Sequence, residues 1–192
     1  VVARTEGRPR PSTSRLFDAD GLPNLFARLG DKLDVTAANW RAVPAPRADP
    51  TDPATPLLAQ LPDVAPDAVL RALDAAVAEG RVGETVEVRY RRAHALIHAG
   101  RDPGPELDAI EASASGDWRT VWYRALHALA SLEGASAATG FSEVWTELPG
   151  ELAPRFALAL AAETAGDLDR AHELYEDVAS VDDSWVSAVF GM

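Results

Sequence analysis

Cysteine is missing altogether, so neither a disulfide nor a thiolate metal centre can be built from this chain. That fits a reducing compartment, and the expectation is a cytoplasmic protein. No apolar run approaches the ~18–20 residues needed to span a bilayer. The N-terminus, Val1-Val2-Ala3-Arg4, lacks the apolar stretch of a signal peptide. Methionine occurs once, at Met192, and the chain does not begin with it, so the expectation is a piece of something longer. Lys32 is the single lysine among eighteen basic residues, a bias read as genome composition rather than function.

Catalytic signatures are lacking as well. There is no GxSxG, no GxxxxGK(S/T), no GxGxxG, and neither HRD nor DFG. Positive charge is in short supply: the formal net charge is −12, and Arg4, Arg8, Arg10 and Arg15 against Glu6 make the first fifteen residues +3 and the remainder −15. An acidic body repels phosphate backbones, so nucleic acid is excluded as a partner of the folded part. The basic leader reads as a solvated linker or as a contact for an acidic surface.

What is present divides in two. Ten of the fourteen prolines lie at or before Pro66. Proline removes a backbone donor and clashes with the preceding helical turn, so residues 41–66 cannot form a long helix and are expected to be an extended linker or strap. A short amphipathic helix over Pro23–Leu29, stopped by Gly30, is expected before it. The domains expected are a Pro-rich tail and linker over 1–62 and a helical repeat domain over 63–192, the latter cut short at its C-terminus.

From Asp67 onward apolar residues recur at i, i+3 and i+4, as in Val69, Leu70, Leu73, Ala76 and Val77 before Gly80. A second periodic block runs from Glu84 to Ala99 and stops at Gly100. Further blocks follow over 105–113, 118–132, 135–148, 151–165, 168–180 and 184–192. Links of two to five residues force antiparallel neighbours. The fold class expected is all-α, a tetratricopeptide-type right-handed solenoid of helical hairpins.

The repeat carries that expectation. Ala137 and Ala171, Phe141 and Tyr175, and Val144 and Val178 are each 34 residues apart, the tetratricopeptide period. The second helix of a hairpin needs a small residue where it crosses the first, and a ring four residues later on the same face. In the second unit Leu158, Ala159 and Ala162 form the inner face of the first helix, and Gly166-Asp167-Leu168 makes the turn. The first unit has Leu132-Glu133-Gly134 in that place, which leaves the register of its first helix open, and Trp122 facing either core or groove. Ser184-Trp185 reads as the start of a third unit.

His94 and His98 sit at i, i+4 and offer two ligands from one helix face, but no HExxH accompanies them, and they read as partly exposed helix histidines. Asp182-Asp183, Asp167/Asp169 and Glu176-Asp177 read as helix-end carboxylates. No catalytic residue, metal site or cofactor is expected. Trp118, Trp122, Tyr123, Trp145 and Phe156 have two readings, as core or as anchors in a concave peptide groove. First helices line that groove in tetratricopeptide arrays, so the candidate partner-binding residues are Leu126, Phe156, Leu160 and Glu163, with Arg119 and Trp122 behind them.

VWYRALHALA at 121–130 and FSEVWTELPGELAPRFALALAAETAGD at 141–167 resemble the C-terminal tetratricopeptide region of the protein kinase G-type Ser/Thr kinases of actinobacteria. Pro-Gly-Glu-Leu-Ala-Pro at 149–154 is the most specific element. Trp185–Gly191 resembles the opening of that family's next repeat, residues 1–17 resemble the chain leaving the kinase C-lobe, and Asp49–Ala54 resembles its linker. The resemblance implies a kinase domain before Val1 and, before that, a rubredoxin-like metal module. It also implies a repeat region that packs on the kinase or pairs with another copy, in a kinase acting on threonine of a small forkhead-associated protein that controls 2-oxoglutarate metabolism. None of the family's ATP-binding or catalytic residues has a counterpart here. The expected partners are therefore proteins: the kinase domain, a forkhead-associated substrate or a second copy as a homodimer. The expected role is non-catalytic recruitment or docking. A free-standing repeat adaptor, in a regulatory or secretion complex unrelated to kinases, is the rival expectation.

Overall fold

Helix-stop chemistry organises the chain. In the computed structural model, described for residues 14–18, 40–61, 65–182, 185, 188 and 191, Gly80, Gly100 and Gly166 take φ of +67°, +69° and +83°. Glycine adopts that left-handed region without a Cβ penalty, which ends a helix there. Helix starts are chemically marked too: Thr85 accepts from Val88 N at 3.3 Å, Asp117 from Arg119 N at 3.0 Å and Asp167 from Arg170 N at 3.2 Å.

Between these signals lie α1 (Thr55–Leu58), α2 (Pro66–Ala78), α3 (Val86–His98), α4 (Gly104–Ser113), α5 (Trp118–Ala130), α6 (Gly134–Glu147), α7 (Leu152–Ala165) and α8 (Leu168–Val181). The described residues contain no strand, only one isolated antiparallel bridge between Phe17 and Pro46. From α2 onward each helix packs on the next, so α6 lies between α5 and α7, and α7 between α6 and α8. The fold is an all-α solenoid of the tetratricopeptide type.

The 34-residue period is realised in three dimensions. Ala137, Phe141 and Val144 on α6 and Ala171, Tyr175 and Val178 on α8 are all buried, at 3% exposure or less. The first-helix register, open in the sequence, is fixed by the same interval: Trp122 and Phe156 are 34 apart and both buried. The Trp122 ring meets Phe141 edge-on at 5.1 Å, and the Phe156 ring lies 6.1 Å from Tyr175. Leu132, at φ +64°, occupies the turn position that Gly166 holds one repeat later. A branched side chain is costly in that conformation, by roughly 1–2 kcal/mol.

The described strap residues pack into the same cores as the repeats. Phe17, Ala42 and Val43 belong to the main core with α3 to α8, while Ala54 shares a smaller core with Val69, Leu70, Leu73, Val88 and Ala95. Proline prevented a long helix as expected, leaving a 3-10 turn at Trp40–Ala42 and the single-turn α1. The strap is pinned by Asp18 N donating to Ala45 O at 2.9 Å, Arg47 N to Leu16 O at 2.8 Å and Arg47 Nε to Phe17 O at 2.8 Å. The expected helix over Pro23–Leu29, the basic leader up to Thr13 and most of the third unit lie outside the described residues. Where Trp185 is described, its ring packs 5.3 Å from Phe156.

Candidate functional site

Four of the six residues expected in a partner groove are core. Trp122, Leu126, Phe156 and Leu160 are 0%, 1%, 1% and 5% exposed, which leaves no surface for a partner to touch. The physical reason is that α7 is covered on all sides: Ala153, Pro154 and every residue from Phe156 to Ala162 are buried. The core reading of Trp122, Tyr123 and Phe156 is the one realised, with Trp118 and Trp145 half-buried against the same core. Glu163 stays half-exposed, accepting from the Tyr175 hydroxyl at 2.7 Å.

Arg119 leads to a different site. Its guanidinium lies over the Tyr90 ring at 4.5 Å and donates to Glu87 and, at 2.6 Å, to Asp117. Tyr90 in turn shares a 2.9 Å hydrogen bond with Thr120. Burial alone would raise the Asp117 carboxyl, but the hydrogen bonds and charge of Arg119 outweigh it and hold the group below the usual carboxylate range. For Arg119, burial works against the charge while Asp117 and Glu87 more than restore it, so the guanidinium is held firmly protonated. A second network backs this one. Arg92, nearly buried, forks onto Glu84 at 2.9 and 3.1 Å and reaches Glu106 at 3.3 Å and Asp74 at 3.4 Å. Arg89 joins it through Glu106 at 3.1 Å.

Above Arg119 the described strap residues stand off the helices. A half-open cavity of about 480 Å³ remains, walled on one side by the strap and α1 (Pro46, Arg47, Leu58) and on the other by α3 and α5 (Arg91, His94, Tyr123). His94 is 3.3 Å from an Arg91 Nη. Because arginine only donates, the facing His94 Nδ1 is the acceptor of that contact. The His94 ring also lies tilted against His98 at 4.4 Å, and His98 packs on Trp40 at 4.8 Å. The i, i+4 histidines are thus engaged with rings, and no cluster of three or more potential ligands for a metal occurs among the described residues. Arg119 was expected as a contact residue, and the cavity it lines was not expected. Its walls come from the strap and from α3 and α5, whose proximity no local pattern announces.

Family comparison agrees with this architecture. The model for the protein kinase G tetratricopeptide repeat matches residues 28–192. The chain belongs to that family. It is 36% identical over 212 aligned residues to the serine/threonine-protein kinase PknG of Mycobacterium leprae and 34% identical to that of Mycolicibacterium smegmatis. Both alignments cover the whole chain but only 28% of each relative, so the chain spans about a quarter of the length of these curated relatives. Within the protein kinase G frame, the chain is the repeat region, outside the kinase domain. Of the two expectations for its context, this favours the kinase-linked one. No helix among the described residues is long and apolar enough to cross a membrane.

Proposed function

We propose that this chain is a non-catalytic interaction and scaffold region of a protein kinase G-type Ser/Thr kinase. It recruits substrate, docks on the kinase domain or pairs with a second copy, and works by raising effective concentration rather than by chemistry. The observation that carries this reading is a stacked-hairpin solenoid that matches the family's repeat model along most of its length. Repeat arrays bury their cores between neighbours and leave extended outer surfaces for partners. Of the expected groove residues, Glu163 is half-exposed and is the one this reading keeps as a contact for a partner. The same reading places the chain in the cytoplasm and asks no cofactor of it.

The test is direct. Isothermal titration of this chain against a protein kinase G-type kinase domain and against a forkhead-associated substrate, with sedimentation velocity on the chain alone, should show association in at least one arm. No association in any arm overturns the proposal. Detectable ATP turnover by the purified chain overturns its non-catalytic half.

A further inference from the structure

A nearly buried phenol lines the cavity with its hydrogen bond unmade. Tyr123 is 4% exposed. Its ring lies 5.4 Å from Tyr90 and 6.1 Å from His94, and its hydroxyl makes no hydrogen bond among the described residues. The fully enclosed side-chain donors that lack a partner there are Trp122 Nε1 and Arg155 Nε, so the Tyr123 hydroxyl is open to the cavity. Tyr90, stacked beside it, commits its own hydroxyl to Thr120 at 2.9 Å. A buried phenol in this state forgoes free energy that an acceptor brought by a ligand restores.

The charges around the cavity balance. Arg47, Arg91 and Arg119 face Asp18, Glu87 and, behind Arg119, Asp117, three of each sign. They are also engaged already: Arg47 with Asp18 at 3.5 Å, Arg119 with Glu87 and Asp117, and Arg91 with His94 at 3.3 Å. An ion entering the cavity would shed its hydration and meet no surplus of opposite charge, which disfavours anions and cations alike. The wall formed by Ala45, Pro46, Leu58 and Ala59 is apolar. At about 480 Å³ the space is within the range of small-molecule sites.

We propose that this cavity binds an uncharged small molecule that joins a compact apolar body to a carbonyl acceptor. The carbonyl oxygen accepts from the Tyr123 hydroxyl, and the body lies against Pro46 and Leu58. None of the charged lining groups takes part. The strap and α1 form one wall and α3 and α5 the other, so the bound molecule bridges them and holds the strap to the repeats. This goes beyond the scaffold reading and does not depend on it.

The experiment titrates the whole chain with molecules of one shape, the uncharged 3-phenylpropanamide and 4-phenyl-2-butanone and the anion 3-phenylpropionate, read by amide chemical shifts. Saturable shifts on both walls, at Ala45 and Leu58 and at Tyr90 and Tyr123, are expected with the uncharged pair. The anion should bind about tenfold more weakly or not at all. Tyr123→Phe should weaken the uncharged pair by about five- to tenfold. The variant's melting temperature should be no lower than the parent's, since the hydroxyl bonds nothing in the protein. Ala59→Phe, at an exposed position of the lining, fills the space and should abolish the shifts while the chain stays folded. The proposal is overturned by equal binding of the anion, by an unchanged affinity in Tyr123→Phe, by shifts that persist in Ala59→Phe, or by the lack of any saturable shift with either uncharged molecule.

Discussion

The hairpins α5–α6 and α7–α8 are one design used twice, and they differ where the period pairs Trp122 with Phe156, Phe141 with Tyr175, Leu132 with Gly166, and Gly134 with Leu168. In each, the ring of the first helix meets the ring of the second, but the cover differs. Phe17 of the strap lies 4.7 Å from Trp122, whereas Trp185 lies 5.3 Å from Phe156. The turns differ more. Gly134 brings the start of α6 so close to the end of α7 that a Cβ there would sit 2.5 Å from Ala165 N and 2.8 Å from Ala161 O. Leu168, its equivalent, is 65% exposed. A repeat thus dictates where helices touch, while the residue that completes each contact is chosen by what happens to lie next to it.

The largest expected effect comes from removing the cover that only the first hairpin borrows from the strap. Phe17→Ala should cost about 3–5 kcal/mol in urea unfolding, because the ring is enclosed by Trp118 and Trp122. Trp185→Ala, at a half-buried position, should cost less. Equal losses would mean that the strap is no more integral to its hairpin than the C-terminal residues are to theirs.

Gly134→Ala should cost about 1–3 kcal/mol, since the contacted atoms are backbone and cannot rotate away. Leu168→Ala should change stability by less than about 0.5 kcal/mol, as an exposed site does. A tolerated Gly134→Ala would show that the close approach of α6 and α7 is not required.

The ring pair Phe141 and Tyr175 gives a pH test. Burial, and for Tyr175 the hydrogen bond to Glu163, pushes the phenol of all three tyrosines above its ordinary value; for Tyr90 and Tyr123 burial is the main cause. The folded chain therefore keeps protons that the unfolded chain releases above about pH 10. Stability is complete below that pH and falls as pH rises beyond it, with a slope of up to roughly 4 kcal/mol per pH unit for three groups. Tyr175→Phe, which makes the second hairpin like the first, should reduce that slope by about a third, read from melting temperatures across the alkaline range. An unchanged slope would mean that Tyr175 ionises in the folded chain.

The effects at the two turns should be opposite in sign. Leu132→Gly relieves a positive φ at a side chain 77% exposed and should stabilise by about 0.5–1 kcal/mol. Gly166→Ala, at φ +83°, should destabilise by a similar amount.

Much of this was legible in advance. Val69, Leu70 and Leu73 at helical spacing, Gly80 and Gly100 as stops, and the triplet Ala137–Phe141–Val144 recurring as Ala171–Tyr175–Val178 place nearly every helix and both hairpin seams. The Leu132 turn hid the register because an αL leucine has no sequence signature; the backbone conformation was kept while the residue that usually reports it was lost. Phe156 and Leu160, expected in a groove, lie in the core for a related reason. An apolar helix face looks alike whether a neighbour or a partner covers it.

The linear order of residues determined the class of element, its limits and the interval at which contacts recur, because helix propensity, stop signals and periodicity are local properties. Only the tertiary structure decided that Phe17, more than a hundred residues before Trp122, completes that residue's packing, and that strap and helices stand far enough apart to leave Tyr123 facing a cavity. Those outcomes depend on which surfaces meet after the chain has folded back on itself, and burial drives that meeting without leaving a mark in any short window of sequence.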